Sequence, residues 1–422
     1  MRPHCFIVLA SMLAAAPALA CTGQSVYLEG DLRMGDQGWG QADSHFQVTG
    51  AEAALTPAPG TQTARWDTVA SLTSYEACVT IDMPAETKDP SRTYAGLLFW
   101  LTDKNNFYEA VIAPNGLFTV ARKVRGKIVA AAPVAWSKSK AIKTGADAKN
   151  VLRLAINGQA VTVWINDEEV AHFRGQPPEG QSHIGLVAAS PPEAADTWRM
   201  SALKVTNVSD ADATATANSE DVSTGSVNAA PGCAGGKVLF EDAFTSHDPT
   251  WGPEDNRLKI SSGEAVLTPV PGTRTFRWNR VFVFDDVDAC ATVRLAKPTA
   301  DPTTSYAGLM FWVEDNSNYY QAVIAPNGYF TVARVVDGKV LEQRPVDWTK
   351  LDAVDKGAKE KNTLRVTAKG DQVTIAVNGK EVASFTGEAP KQPSYIGMLA
   401  ASASSKRGDT WSITDFKVAQ PE

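Results

Sequence analysis

Hydrophobic and polar positions alternate in short runs along most of the chain, and turn residues separate the runs. Leu152, Leu154 and Ile156 alternate with Arg153 and Ala155, and Asn157-Gly158 then supplies a tight turn. Alternation with a period of two places the apolar side chains on one face of a β-strand. Helical periodicity is almost absent, so the pattern predicts an all-β protein in which each sheet buries one face against another sheet.

The segment 94–123 predicts a three-stranded meander. Asp103-Lys104-Asn105-Asn106 turns its first corner, and Pro114-Asn115-Gly116 turns its second. A register that pairs Trp100 with Glu109 gives one wholly apolar face, which we expect to face the core. That face carries Leu97, Phe99, Tyr108, Ala110, Ile112, Phe118 and Val120. The opposite face carries Tyr94, Gly96, Trp100, Phe107, Glu109 and Thr119.

The chain repeats itself after 212 residues. Between Tyr94 and Trp136, 27 of 43 residues are identical to their counterparts in the second copy. Each copy is long enough for an independent domain. We therefore predict two tandem antiparallel jelly-roll sandwiches over residues 21–207 and 233–422. Residues 208–232 contain no aromatic residue and are rich in Ala, Ser, Thr and Asp, which predicts a flexible linker.

The N-terminus has the pattern of a signal peptide over residues 1–20. Arg2 is followed by an apolar run that is too short to span a membrane, and Ala18-Leu19-Ala20 forms a small-x-small cleavage signal. No later segment is apolar for long enough to predict a transmembrane helix. The pattern predicts an exported protein, periplasmic or extracellular, that begins at Cys21. The same residues also resemble an imperfect lipobox, the motif that directs acylation of the cysteine after the cleavage site. In that case Cys21 would carry a lipid anchor.

The cysteines follow the repeat. Cys21 and Cys78 are 57 residues apart, and so are Cys233 and Cys290. Paired cysteines at a duplicated spacing in an exported chain predict one disulfide in each repeat. This pairing disfavours the lipid anchor, because acylation of Cys21 would leave Cys78 without a partner.

Charge and chemistry narrow the function classes. The net charge is −7 with no long basic run, so a nucleic-acid partner is not expected. No histidine recurs at equivalent positions, which excludes a zinc site or histidine triad shared by both copies. Glu109 is replaced by Gln321 in the second copy, so a catalytic carboxylate at this position cannot be shared by both copies.

We assign no catalytic residue, no metal ligand and no cofactor. Asp103 and Asn106 leave calcium as an alternative to a hydrogen-bonded turn.

The residues carry a resemblance to a known group of folds. Gly96-Leu97-Leu98-Phe99-Trp100, the Asp/Asn turn and the later His183-Ile184-Gly185-Leu186 resemble concanavalin A-like sandwiches of the laminin-G-like type. The layout is similar to the exported bacterial branch named for 3-keto-disaccharide hydrolases, and the similarity covers 28–205 and 240–418. The resemblance implies two antiparallel sheets per copy, one of which is concave and often faces a carbohydrate.

Aromatic residues on one predicted face provide the candidate binding site. It comprises Tyr94, Trp100, Phe107 and Glu109 with their counterparts Tyr306, Trp312, Tyr319 and Gln321. Aromatic planes suit the C–H face of a sugar ring, and adjacent polar groups can orient its hydroxyls. We therefore expect a non-catalytic carbohydrate-binding protein. The alternatives are a glycoside-cleaving enzyme, either hydrolase or lyase, and a protein–protein adhesion module. For Trp100 itself, the alternative is a place in the core.

Overall fold

In the computed structural model of the protein, the described residues are 21–29, 38–129, 132–209, 233, 236–404 and 408–422. The predicted signal peptide and nearly all of the predicted linker lie outside these ranges. The strands of the first repeat are β1 (Val26–Glu29), β2 (Phe46–Thr49), β3 (Glu52–Leu55), β4 (Gln62–Trp66), β5 (Tyr75–Asp82), β6 (Tyr94–Asp103), β7 (Asn106–Ile112), β8 (Leu117–Val124), β9 (Lys127–Ile128), β10 (Val134–Lys138), β11 (Lys149–Asn157), β12 (Ala160–Ile165), β13 (Glu168–Arg174), β14 (His183–Ala189) and β15 (Trp198–Thr206).

The second repeat has the same order of strands. They are β16 (Val238–Asp242), β17 (Leu258–Ser261), β18 (Glu264–Leu267), β19 (Arg274–Trp278), β20 (Val287–Leu295), β21 (Tyr306–Val313), β22 (Tyr319–Ile324), β23 (Tyr329–Val336), β24 (Lys339–Val340), β25 (Val346–Lys350), β26 (Lys361–Lys369), β27 (Gln372–Val377), β28 (Lys380–Thr386), β29 (Tyr395–Ala401) and β30 (Trp411–Ala419). One turn of 3-10 helix, Pro249–Trp251, follows β16. Among the described residues, no helix has the length and apolar composition needed to cross a membrane.

Each repeat folds into one eight-stranded and one seven-stranded antiparallel sheet. In the first repeat the orders are β13-β12-β11-β5-β15-β3-β2, with β1 beside β15, and β10-β8-β7-β6-β14-β4, with β9 beside β8. In the second repeat they are β17-β18-β30-β20-β26-β27-β28, with β16 beside β30, and β19-β29-β21-β22-β23-β24, with β25 beside β23. The predicted all-β fold of two sandwiches is confirmed.

The core of each repeat lies between its two sheets, as the alternation predicts. Ile112 pairs with Phe118 and Tyr108 pairs with Arg122, so the second turn of the meander closes as expected. All seven residues of the predicted core face belong to the core of the first repeat. The Arg122 guanidinium lies 5.1 Å from the centre of the Tyr108 ring.

The seven-stranded sheet of each repeat also has apolar residues on the face that points away from the core, which we call the outer face. In the first repeat these are Leu98, Leu101, Phe107, Val111 and Val187. In the second repeat they are Met310, Val313, Tyr319, Val323, Val335 and Leu399. These residues are themselves buried, because partly buried side chains of the same face, such as Trp66 and Tyr94, pack against them.

The predicted register at Trp100 is wrong. Glu109 pairs with Leu98, and the register shifts between Phe99 and Asp103. Trp100 has a φ of 46°, in the left-handed region, and this backbone conformation turns its side chain to the same side as that of Phe99. The indole is therefore 3% exposed and packs in the core, with its ring centre 5.1 Å from that of Tyr108.

The second copy repeats this arrangement. Trp312 has a φ of 48°, is 3% exposed and packs edge-on against Tyr320 at 5.2 Å. The indole therefore lies in the core in both repeats, as the alternative for Trp100 had it. Neither Trp100 nor Trp312 presents its ring on the surface to a ligand.

The predicted disulfides are present in both repeats. Cys21 is bonded to Cys78 and Cys233 to Cys290, with Cα–Cα distances of 5.5 and 5.7 Å. Each bond ties the start of its repeat to a central strand of the eight-stranded sheet, β5 or β20. Four of the five cysteines are thus oxidised.

The two repeats contact each other through polar groups, which the sequence did not predict. Arg174 of β13 lies with its guanidinium 4.8 Å from the centre of the Phe240 ring and 3.5 Å from the Asp248 carboxylate. The Gln176 side chain donates to the carbonyl of Val283 and accepts from its N–H, at 3.0 and 3.1 Å. Side chains from the end of β13 and just beyond it therefore hold the second sandwich.

Candidate functional site

The outer face of the second repeat contains a cleft of about 800 Å³. Strand β19 contributes Arg274, β21 contributes Tyr306, β22 contributes Gln321 and β25 contributes Trp348. Arg344 comes from the segment before β25 and completes one wall. We call these five residues the second-repeat cleft. Tyr319 of β22 does not line it but packs in the same outer-face cluster as Tyr306 and Trp348.

Strand alternation explains why these side chains meet. Tyr319 and Gln321 are two residues apart on β22, so both point to the outer face, while Tyr320 between them points into the core. Gln321 pairs with Met310 of β21. The cleft floor is therefore formed by central strands, which hold its side chains in fixed positions.

Aromatic rings line the cleft and the surface next to it. The Tyr306 and Trp348 ring centres are 5.8 Å apart. Phe276 stacks on Trp278 at 6.0 Å with an interplanar angle of 24°, and it lies 5.8 Å from Tyr319. Flat apolar surfaces next to polar groups are typical of sugar-binding sites, because a sugar ring has both C–H faces and hydroxyl edges.

Polar atoms that lack partners lie in the cleft and beside it. Gln321 is 2% exposed, and among the described residues its Oε1 has no hydrogen-bond partner; the hydroxyl of Tyr319, which packs beside the cleft, has none either. A buried polar atom left unpaired costs roughly 1–3 kcal/mol. Gln321 lines the cleft, so a rotation of its side chain would present the amide to a hydroxylated ligand bound there.

The first repeat has a related site with different polar groups. Tyr94 and Trp136 repeat the aromatic pair, with ring centres 5.9 Å apart. Glu109 replaces Gln321, and its Oε2 accepts a hydrogen bond from Gln62 Nε2 at 2.8 Å. Burial raises the pKa of Glu109, while the Gln62 hydrogen bond and the Lys123 charge act in the opposite direction.

The structure brings together six of the eight predicted site residues. Tyr94, Phe107 and Glu109 lie on the outer face of the first repeat. Tyr306, Tyr319 and Gln321 lie on the outer face of the second. Trp100 and Trp312 do not join them, because both indoles are in the core. Whether the six bind a ligand stays a prediction.

Sequence reasoning missed the residues that come from other strands. Trp136 and Trp348 recur at equivalent positions, and Trp136 is 46% exposed, but the predicted binding site did not include them. Gln62 and Arg274 are also equivalent, and they lie beside Glu109 and Gln321 respectively. The recurrence of the tryptophans was the available signal. Nothing in the sequence indicated that β4 and β10 lie on the same sheet as the meander.

The Asp103 corner is a hydrogen-bonded turn. The carboxylate of Asp103 accepts from the N–H of Asn105 at 2.6 Å and from the Asn106 side-chain amide at 2.9 Å. Asp315 makes the same contacts with Ser317 and Asn318. Asn106 presents its N–H group rather than its oxygen to the carboxylate. A calcium ion at this corner stays an untested prediction.

A second cleft, of about 670 Å³, lies between the repeats. Its walls include Gln159, Gln176 and Val283, whose polar groups already hydrogen-bond from one repeat to the other. We therefore regard it as part of the contact between the repeats rather than as the ligand site.

Comparison with known proteins supports the resemblance. Residues 235–407 match the family model of the 3-keto-alpha-glucoside-1,2-lyase-like domain. The match lies in the second repeat and covers less than half of the chain, and it confirms the similarity inferred there from the sequence. No curated protein matches the chain.

Solved structures similar to the chain include two from Bacillus. One is the carbohydrate binding module CBM66 from Bacillus subtilis, with 14% identity and a TM-score of 0.28, over 37% of this chain and 86% of that one. Another is a Bacillus licheniformis β-glucanase, with 11% identity and a TM-score of 0.34, over 44% of this chain and 99% of that one.

Proposed function

We propose that the protein binds carbohydrate through the outer faces of both repeats and does so outside the cytoplasm. The observation that carries this proposal is the second-repeat cleft, where the Tyr306–Trp348 pair lies beside Gln321, whose Oε1 is buried and has no partner among the described residues. Aromatic rings beside polar groups fit a hydroxylated ring, which has C–H faces and hydroxyl edges. The two disulfides support export, since such bonds persist in oxidising compartments.

Two sites on one chain favour a polymeric ligand. If both outer faces engage one polysaccharide, the second contact is intramolecular and the overall affinity exceeds that of either site. A weak individual site is then sufficient for stable attachment to a cell wall or an extracellular polymer.

The experiment is a polysaccharide-binding screen with the mature protein and three variants. Trp348→Ala and Trp136→Ala each remove one ring of an aromatic pair, and each should weaken binding roughly 5- to 30-fold, the equivalent of about 1–2 kcal/mol. Tyr27→Ala is the control, because Tyr27 is 52% exposed on the other sheet. Binding that the tryptophan variants leave unchanged would contradict the proposal. Complete absence of sugar binding would favour the adhesion alternative.

A second candidate function rests on Glu109. A buried carboxyl group with a raised pKa has the character of a general acid, which glycoside cleavage requires. The variant that tests this function is Glu109→Gln, because it gives the first repeat the residue that the second repeat has at the equivalent position, Gln321. Sugar release that this variant abolishes would establish an enzyme. Sugar binding without turnover in both proteins would leave the binding function alone.

Lyase chemistry in the second repeat has less support. Proton abstraction needs a base in the cleft, and Asp301 is the one carboxylate among the described residues that line it. Hydrogen bonds from the Thr303 side chain and backbone lower the pKa of Asp301, so its carboxylate is a weak base. The similarity to a lyase-like family therefore supports the fold, whereas the residues of the cleft do not support the lyase reaction.

A further inference from the structure

The outer faces of the two repeats carry different charges at equivalent positions. Gln62 of the first repeat corresponds to Arg274, and Ala132 corresponds to Arg344. The second-repeat cleft thus contains two guanidinium groups where the first repeat has neutral residues. The exchange of Glu109 for Gln321 removes a carboxylate at the same time.

The two guanidinium groups of the second-repeat cleft, those of Arg274 and Arg344, form no ion pair with any described residue. Arg274 makes one long hydrogen bond, of 3.4 Å, to the carbonyl of Gly338. The Asp301 carboxylate at the rim accepts three hydrogen bonds from Thr303 and Thr304 instead.

Both cations act on the same point of the cleft. Burial raises the pKa of the Tyr306 hydroxyl, and the charges of Arg274 and Arg344 both lower it. Arg274 also lies with its guanidinium 5.9 Å from the centre of the Tyr319 ring. Two positive groups therefore lie near the aromatic pair and the unpartnered Gln321 Oε1.

We propose that the second-repeat cleft binds a negatively charged sugar, a uronic acid or a sulfated residue, whereas the first repeat binds a neutral one. Guanidinium groups recognise carboxylate and sulfate oxygens through charged hydrogen bonds, while Gln321 and the rings hold the hydroxyls and the C–H face. The inference rests on the proposed carbohydrate-binding function. The net charge of −7 opposes general attraction to a polyanion, so such binding must come from a local site.

The test compares the wild type with a double variant that carries the first-repeat residues, Arg274→Gln with Arg344→Ala. The probes are polygalacturonate and its carboxyl-reduced form, and dextran sulfate with dextran, each measured by affinity electrophoresis at low and moderate salt. We expect the wild type to bind at least one polyanion tenfold or more tightly than its uncharged counterpart. The double variant should lose tenfold or more of that affinity and keep its binding to uncharged polymers. The carboxylate and sulfate arms distinguish the two sources of charge.

Four outcomes overturn the inference. Equal binding of charged and uncharged polymers would do so while the carbohydrate-binding function stands, provided that Trp348→Ala weakens it. Polyanion binding that the double variant retains would place the attraction elsewhere on the surface. Polyanion binding that disappears in the double variant but survives Trp348→Ala would reveal charge attraction without a sugar site. Absence of binding to every polymer would overturn the proposed function as well. Unchanged circular dichroism and melting temperature of the double variant provide the folding control.

Discussion

Gly175 lies against the indole of Trp100 so closely that a Cβ at position 175 would be 2.3 Å from Trp100 Cζ3. The second repeat has the same relationship, with 2.5 Å between a Cβ at Gly387 and Trp312 Cζ3. A glycine just beyond β13 or β28 thus leaves space for an indole that a β-bulge turns inward. The two copies conserve this pair of residues as a packing unit between the sheets.

Removing the buried indole should destabilise each repeat strongly. Trp100→Ala leaves a cavity among Phe99, Tyr108 and Gly175, and we expect a loss of about 3–5 kcal/mol in the free energy of unfolding. Trp136→Ala is the matched control, because its ring is 46% exposed, and it should cost about 1 kcal/mol or less. Urea unfolding measures both. Equal and small losses would show that the Trp100 ring does not fill the core.

The contact between the repeats should couple their stabilities. Arg174→Thr introduces the residue found at the equivalent position 386 and leaves Asp248, which is 4% exposed, without its cation. We expect a loss of about 2–3 kcal/mol and melting of the repeats in two separate transitions. Calorimetry checks both points. The control is Arg125→Ala, because the Arg125–Asp285 pair is exposed and should contribute at most about 1 kcal/mol. Indistinguishable melts of the two variants would contradict the coupling.

The buried carboxyl of Asp242 should make stability depend on pH. Burial and the nearby charge of Asp248 raise its pKa to about 6, while hydrogen bonds from Phe244 N–H and Trp251 Nε1 and the charge of Arg174 act in the opposite direction. Because the folded pKa lies above the ordinary value, the native state binds this proton more tightly than the unfolded chain does. Its contribution to stability is therefore full below about pH 4 and is lost as the pH rises to about 6.

Asp242→Asn removes this titration and should flatten the curve. Between about pH 4 and 6, the free energy of unfolding of the wild type should fall relative to that of the variant. The slope is the readout, because the amide also loses one of the two oxygen acceptors for Phe244 and Trp251. Parallel curves for the two proteins would show that Asp242 is ionised throughout.

Each disulfide should stabilise its own repeat. Cys78→Ser opens a loop of 57 residues in the first repeat, and Cys290→Ser opens the equivalent loop in the second. Loops of this length predict a loss of about 3–5 kcal/mol per bond. The check is the melting temperature of the wild type and of each variant, with and without reductant. Reductant should lower the melting temperature of the wild type. In each variant, it should leave unchanged the melting temperature of the repeat that already lacks its disulfide.

The fold was largely predictable from local signals. Alternation located the strands, and Asn115-Gly116 fixed the turn that pairs Ile112 with Phe118. The spacing of 57 residues predicted Cys21–Cys78 and Cys233–Cys290, because duplicated domains repeat their covalent geometry as well as their sequence. These features depend on residues that are neighbours along the chain or that recur with it.

The inward turn of Trp100 was beyond this reasoning. Both faces of the seven-stranded sheet are apolar, with Phe99 on one side and Leu98 on the other, so hydrophobicity does not tell which face the next residue takes. A bulge of one residue reverses the alternation after it, and the sequence gives no separate sign of it. The predicted pairing of Trp100 with Glu109 failed for that reason.

The sequence by itself determined the duplicated all-β architecture, the disulfides and most of the outer-face residues, because period-two alternation and repeat spacing record them directly. Only the tertiary structure decided the composition of the second-repeat cleft and the contact of Arg174 with Asp248. The cleft joins Arg274, Gln321 and Trp348 from strands far apart in the chain. Strand order in an antiparallel sheet follows from the packing of the whole sandwich, and no local pattern contains that information.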